Sequence, residues 1–212
     1  MNLKENEKRI VDYFDATLKK HGSTPKGVDW NSEIPQNLRF EQLLKVIHTT
    51  DKFSILDYGC GYGALLNYLQ EHDYSFSKYV GYDISEMMIN KARTIHAKRN
   101  AITFTTEFQQ ISKIDYTVAS GVFNMKLETP NTTWTEYVLS CLNDINDKSK
   151  KGFAITFLTK YSDVEKMRAD LYYADPCFLF DHSKRHYAKN VAILHDYGAY
   201  DFTLIIRKDI WK

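Results

Sequence analysis

Ile55-Leu56-Asp57-Tyr58-Gly59-Cys60-Gly61-Tyr62-Gly63 is an apolar, strand-like run that passes into three glycines at alternate positions and then into a helical stretch from about Ala64 to Gln70. Such a turn lets the main chain approach a ligand closely. Glycine tolerates positive φ and carries no Cβ to collide with a nucleoside, and the following helix offers unpaired N–H groups and a partial positive end. Asp83 closes the next strand-like run, Tyr79 to Tyr82, at a place where a carboxylate can accept hydrogen bonds from vicinal ribose hydroxyls. A glycine-rich loop alone is a weak signal. Joined to an acid at the end of the following strand, it points to an adenosine-containing cofactor.

Outward from that turn, strands and helices alternate. Downstream come a helix opened by Ser85 that buries Met88, Ala92 and Ile95, then strands at Ile102 to Phe104 and Tyr116 to Ala119. Thr133 and Glu136 have capping-box spacing ahead of a face made by Val138, Cys141, Leu142 and Ile145, and Phe153 to Phe157 reads as strand five. Ser162 and Glu165 repeat the capping-box spacing before Val164, Met167 and Leu171, which predicts a further helical segment ahead of a helix from about Asp175 to Tyr187. Val191 to Leu194 and Phe202 to Ile206 flank a Gly-containing turn, as in a hairpin. Upstream, Ile10, Phe14 and Leu18, with Val11 beside them, mark residues 3 to 20 as an amphipathic helix suited to be a lid. The breaker-rich stretch Gly22 to Pro35 separates it from a helical face at Phe40, Leu43, Leu44 and Ile47. This order predicts an α/β fold whose parallel sheet is covered on both faces and binds ligands at the carboxyl ends of its strands. Residues 1–35 form the extension and residues 36–212 the main domain.

The 15 Tyr and 12 Phe supply both a core and aromatic pocket walls. Charge is balanced, 28 Lys and Arg against 27 Asp and Glu, so no global field favours nucleic acid. The short basic clusters at Lys148, Lys150 and Lys151 and at Lys184, Arg185 and Lys189 read as solvated charge. Cys60, Cys141 and Cys177 are widely spaced and odd in number, which suits neither a disulfide framework nor a zinc site; reduced thiols and no metal are expected. Charged residues fill the first twenty positions, and no apolar run has the length of a membrane span. A cytoplasmic protein with a small-molecule partner, and neither membrane nor nucleic acid, is the expectation.

The glycine spacing separates two cofactors. Dinucleotide folds use G-x-G-x-x-G, whereas this loop reads Asp-x-Gly-x-Gly-x-Gly, and Asp57 would repel a pyrophosphate. It suits a cofactor with a cationic amino group and no phosphate, which describes S-adenosylmethionine. Leu56 to Gly63 resembles motif I of class I S-adenosylmethionine-dependent methyltransferases, and Val80-Gly81-Tyr82-Asp83-Ile84-Ser85 resembles the acidic loop that follows it; the resemblance spans roughly residues 36 to 206. More loosely, Ala119 to Asn124, Leu171 to Pro176 and His195-Asp196-Tyr197 resemble segments of little-characterised bacterial methyltransferases of surface-glycan and other small-molecule pathways.

The resemblance implies a Rossmann-like, seven-stranded, mostly parallel sheet with an antiparallel last strand, helices on both faces and an N-terminal helical extension. It places the cofactor, and its product S-adenosylhomocysteine, against Asp57, Tyr58, Gly59, Cys60, Gly61, Gly63, Asp83, Ile84 and Met88. Glu107 and Phe108 would meet the adenine, Arg39 the methionine carboxylate, and Ser120 would lie beside the cofactor. The sulfonium already activates its methyl group, so positioning and exclusion of water supply much of the acceleration. A hydroxyl acceptor must still lose its proton. His195 is the first candidate for that base, with Asp175, Asp196 or His182 as substitutes and Asn124 orienting the acceptor. Trp30, Phe123, Tyr161, Tyr173 and Tyr197 are the candidate acceptor walls.

The expected activity is therefore O-methylation of a small molecule such as a sugar or surface-glycan precursor. The alternatives are N-methylation of a small molecule, or a non-catalytic S-adenosylmethionine-binding regulatory module. A dehydrogenase would want the longer glycine spacing and Tyr-x-x-x-Lys. An adenine-N6 methyltransferase would want Asn/Asp-Pro-Pro-Tyr where Ser120-Gly121-Val122-Phe123 stands. The acceptor's identity and the oligomeric state are left open.

Overall fold

A computed structural model describes residues 3–30, 32–96 and 101–208. Its strands are β1 (Phe53–Tyr58), β2 (Phe76–Tyr82), β3 (Ile102–Thr105), β4 (Ile114–Ala119), β5 (Ser149–Thr159), β6 (Tyr173–Ala174), β7 (Asn190–Leu194) and β8 (Asp201–Arg207). They form one sheet in the order β3-β2-β1-β4-β5-β8-β7, with the two-residue β6 also pairing β5. β1 to β5 are parallel neighbours, and β8 runs antiparallel between β5 and β7. The chain winds outward from β1 to β3 and then returns to β4 on the other side of β1. The connections leaving β1 and β4 diverge there, and the crevice lies at the carboxyl ends of those two strands.

The helices are α1 (Leu3–His21), α2 (Glu33–Leu44), α3 (Ala64–Glu71), α4 (Glu86–Ile95), α5 (Asn131–Lys148) and α6 (Pro176–His186). Leu43 of α2, Leu65, Leu66 and Leu69 of α3 and Ile89 of α4 close over Ile55, Tyr79 and Tyr116 on one face of the sheet. Val138, Leu142 and Ile145 of α5 and Leu179 of α6 close over Phe153, Ile155 and Phe157 on the other. A strand covered on both sides carries apolar residues at consecutive positions, which is why Ile55-Leu56 and Phe153-Ala154-Ile155 read as runs without alternation. Each fully buried aliphatic or phenyl side chain here stabilises the fold by about 1.5–3 kcal/mol.

The expected alternation is found, with differences at the helix starts. Ser85 caps α4 as its sequence suggests, its Oγ accepting from Met88 N at 3.0 Å, and Asp175 caps α6 by accepting from Cys177 N at 2.9 Å. The Thr133–Glu136 spacing is not a cap, because α5 already begins at Asn131 after Pro130. The second capping-box spacing does not open a helix either. Ser162 Oγ donates to Thr159 O at 2.7 Å, and only a 3-10 turn, Val164–Lys166, follows, with Val164 80% exposed and no core to face. In the breaker-rich stretch, α2 starts at Glu33 with Pro35 in its first turn, where a missing N–H leaves no bond unmade. No described helix is long and apolar enough to cross a membrane.

Candidate active site

The glycine loop is held from beneath by β2 and its exit. Gly59 N and Cys60 N both donate to Tyr82 O, at 2.7 and 2.9 Å. Asp83 then binds the loop itself: Oδ2 accepts from Gly61 N at 2.9 Å and Oδ1 accepts from Ser85 N at 2.9 Å. Gly59 and Gly61 lie at φ +80° and +53°, the left-handed region that favours glycine, and a Cβ on Gly59 would run into the Val122 side chain. Burial pushes the Asp83 carboxyl up from its ordinary range, and the Ser85 and Gly61 N–H groups act against that shift.

Above the loop lies a cavity holding about 1110 Å³ of space between atoms, part of it open to solvent. One wall is the loop from Gly59 to Tyr62 with Asp57, Asp83, Ile84 and Met88. The facing wall comes from Ser120, Gly121 and Val122 after β4, Trp134 and Tyr137 of α5, and Trp30. The roof is α1, through Glu7, Ile10, Val11 and Phe14.

Polar contacts fasten that roof at both ends. Asn6 Nδ2 donates to Lys126 O at 3.3 Å, Arg9 pairs with Glu128 at 2.8 Å, and Tyr137 Oη donates to Glu7 Oε1 at 3.0 Å. Farther along α1, Ser85 Oγ donates to Asp15 Oδ1 at 2.5 Å. The Arg9–Glu128 pair is exposed and screened by solvent, so it fastens weakly. The apolar stripe of α1, packed inward, is the larger contribution.

Three features of the lining bear on what it can hold. Its charged side chains among the described residues are the carboxylates Glu7, Asp57 and Asp83. Asp57 is buried; desolvation lifts its carboxyl to about 7, opposed by the hydrogen bond from Tyr79 and reinforced by the charge of Asp83. The Ser120 hydroxyl oxygen is buried without a partner among the described residues, which leaves it for a ligand.

Of the residues expected at the site, Trp30, Asp57, Tyr58, Gly59, Cys60, Gly61, Asp83, Ile84, Met88 and Ser120 share this cavity. The others do not line it. Gly63 is the N-cap of α3 at φ +89°, pressed by His96 and Phe104, so its role is in the turn. Arg39 is buried, ion-paired to Asp201, bonded to Pro35 O at 2.5 Å and stacked 4.2 Å from the Trp30 ring, which commits its guanidinium to the fold. Glu107 is exposed on a short 3-10 turn, and Phe108 packs behind Tyr58 and Tyr82 at 5.4 and 5.2 Å.

On the acceptor side, Phe123 is core, stacked on Phe157 at 5.7 Å. Asn124 spends its side-chain oxygen on Leu158 N at 3.2 Å, joining the β4 exit to β5. His195 is exposed at the end of β7, 6.1 Å from the Tyr161 ring and 5.9 Å from the Phe202 ring. Tyr161 itself is 61% exposed, Tyr173 Oη accepts from Arg168 N at 2.9 Å, and Tyr197 Oη meets Thr203 Oγ1 at 3.1 Å. Of the proposed substitutes for the base, Asp175 caps α6 and pairs with Lys160, and His182 lies tilted against His186 with ring centroids 4.3 Å apart. Sequence reasoning missed Glu7, Val122, Trp134 and Tyr137, which the fold brings to the cavity from three separate elements.

A family model described as a methyltransferase domain matches residues 49–178. A protein of Mycobacterium tuberculosis, provisionally named a methyltransferase, is 45% identical over 165 residues, covering 78% of this chain and 99% of its own. Among solved structures, a DhpI–SAM–HEP complex has a TM-score of 0.65 at 10% identity, over 96% of this chain and 98% of that one. The N-methyltransferase NodS from Bradyrhizobium japonicum, in complex with S-adenosyl-L-homocysteine, has a TM-score of 0.61 at 14% identity, over 94% and 96% of the two chains. Human N-acetylserotonin methyltransferase in complex with SAM has 0.60 at 12% identity, over 96% of this chain and 57% of that one. At such identities the likeness is one of fold.

Proposed function

The chain belongs to the methyltransferase domain family and takes S-adenosylmethionine as its methyl donor, and from that premise we propose that it methylates a small molecule enclosed with the donor beneath α1. The observation that carries this reading is the cavity itself, in which the glycine loop, Asp57, Asp83 and a Ser120 hydroxyl with no partner among the described residues converge under one roof.

When bound, the donor supplies an electrophilic methyl group on a sulfonium. The residues here do the rest. Asp83, already anchored by Gly61 N and Ser85 N, keeps acceptor capacity on both oxygens for ribose hydroxyls. Asp57 answers the donor's cationic end. Ile84 and Met88 offer an apolar surface to the base, and the Ser120 hydroxyl can bond along the donor. On this reading the described part of residues 1–35 is the extension that covers the site, and residues 36–212 are the methyltransferase domain. Closure by α1 excludes water, which strengthens each of these electrostatic contacts.

We propose a hydroxyl, of a sugar or another uncharged small molecule, as the methylated group. A second reading, an amine, is favoured by the placement of His195 outside the cavity, since a neutral amine attacks with its own lone pair and needs no base.

Calorimetry with S-adenosylmethionine, S-adenosylhomocysteine and NAD, on the wild type and on Asp83→Ala, tests the donor assignment. Micromolar binding of the first two, lost in the variant, is expected; binding of NAD alone, or of nothing, would sink it. A panel of matched hydroxyl and amine acceptors with methyl-labelled donor then separates oxygen from nitrogen. Tight donor binding with no transfer to any of them would leave the regulatory-module reading standing.

A further inference from the structure

We infer that Glu7, held by Tyr137, faces the acceptor and receives its proton, so that α1 contributes a catalytic group as well as a roof. This rests on the donor and hydroxyl assignments above. Glu7 lines the cavity from an element ahead of the family-matched residues 49–178, whereas the glycine loop, Asp83, Ile84 and Met88 all lie within them. The signature for the donor and the carboxylate of α1 thus occupy different walls of one space.

Elimination among the described lining residues points the same way. Asp83 and Asp57 are taken up by the donor in the reading above, at its ribose hydroxyls and its cationic end, with Asp83 also accepting two backbone N–H groups and Asp57 the Tyr79 hydroxyl at 2.7 Å. Burial raises the Cys60 thiol and the Tyr58, Tyr82 and Tyr137 phenols above their ordinary ranges, so none of them is an anion at neutral pH. Glu7 remains, and among the described residues one hydrogen bond, from Tyr137, fixes its orientation and leaves its second oxygen open to a hydroxyl.

The step balances. As the donor's sulfur–carbon bond breaks and the acceptor's oxygen–carbon bond forms, the hydroxyl proton passes to Glu7. The products are a methyl ether, a neutral thioether and a protonated carboxyl group that later yields its proton to water. One positive and one negative charge disappear together beneath the α1 roof, which is the direction a low dielectric favours. The same charges select the acceptor. With Glu7, Asp57 and Asp83 as the charged lining groups, a phosphate or carboxylate near the reacting centre would be repelled, so the acceptor is uncharged or cationic in that part.

A crystal structure with S-adenosylmethionine tests the placement without needing the acceptor. The methyl carbon is expected to point toward Glu7, with a gap of about 6 Å to its carboxylate, the sum of a near-attack contact and a hydrogen bond. An adenine or ribose resting on Glu7, or a methyl group pointing elsewhere, would overturn the inference. In parallel, Glu7→Gln is expected to change the Kd for S-adenosylhomocysteine less than threefold while lowering kcat on a hydroxyl acceptor by about 10²–10⁴-fold. Tyr137→Phe, which keeps the carboxylate but frees it, should lower kcat by a smaller factor. Loss of S-adenosylhomocysteine binding in Glu7→Gln, or an unchanged kcat, rejects the role. Failure of the wild type itself to bind S-adenosylhomocysteine would strike instead at the donor assignment.

Discussion

The hydroxyl of Tyr79 donates to Oδ2 of Asp57 across 2.7 Å, and both side chains are buried. The two residues stand on neighbouring strands, β1 and β2, directly below the glycine loop. One phenol is too little to compensate a desolvated carboxylate, so Asp57 keeps its proton to about pH 7 in the unliganded protein.

A cation arriving at Asp57 must displace that proton. Donor affinity is therefore expected to rise with pH up to about 7 and to flatten above it, with a slope of at most about tenfold per pH unit below the midpoint. For stability the sign is opposite. The folded-state pKa lies above the ordinary value of 3.8, so this carboxyl's contribution is full below that value and is lost as the pH rises through about 7. Calorimetry in buffers of different ionisation enthalpy checks the proton release, and Asp57→Asn should abolish the pH dependence.

Arg39 and Asp201 form a buried ion pair, with desolvation pushing the Asp201 carboxyl up and Arg39 holding it down. Arg39→Met leaves that carboxylate uncompensated and is expected to cost about 3–5 kcal/mol, whereas Arg39→Met with Asp201→Asn should cost much less. Denaturant unfolding of the two variants checks this. Donor affinity in the double variant should stay within threefold of wild type, because the guanidinium lies outside the cavity lining.

Gly59→Ala combines a left-handed residue, at about 1–2 kcal/mol, with the collision against Val122. A fall in Tm of about 2–8 °C is expected for a chain of this size. Adding Val122→Ala should recover the steric part and leave the backbone part, a split that thermal unfolding of the single and double variants resolves.

His195→Ala is expected to leave turnover within twofold of wild type, since the imidazole is exposed and lies tilted to Tyr161 and edge-on to Phe202, outside the cavity lining. Steady-state kinetics with any acceptor from the panel decides it, and a hundredfold loss would return the proton transfer to this residue.

The glycine-loop wall of the cavity was legible because its information is local. The alternate glycines, the acid closing β2 and the Ser85 cap lie within a short stretch and obey backbone rules that any sequence displays. Contacts between distant residues leave no such trace. Glu7 and Tyr137 meet across a separation of 130 positions, and nothing periodic marks either. Arg39 was legible as a cation but not as a committed one, because its partner Asp201 lies at the start of β8. His195 was correctly placed at a carboxyl strand end. That strand, however, is β7 at the outer edge of the sheet, while the cavity opens over β1 and β4. The second capping-box spacing misled because such spacing needs a core to bury the apolar residues it introduces, and Val164 has none.

Glu7, Ile10, Val11 and Phe14 reach the cavity from a helix that ends well before the family-matched segment begins at residue 49. On the proposed reading, the roof over the acceptor is thereby written in a length of chain apart from the glycine loop that grips the donor. A graft of the leading helix from one relative onto another is a route by which lineages can change what is modified while the nucleoside cradle stays untouched, and the same graft offers an engineer a compact handle on selectivity.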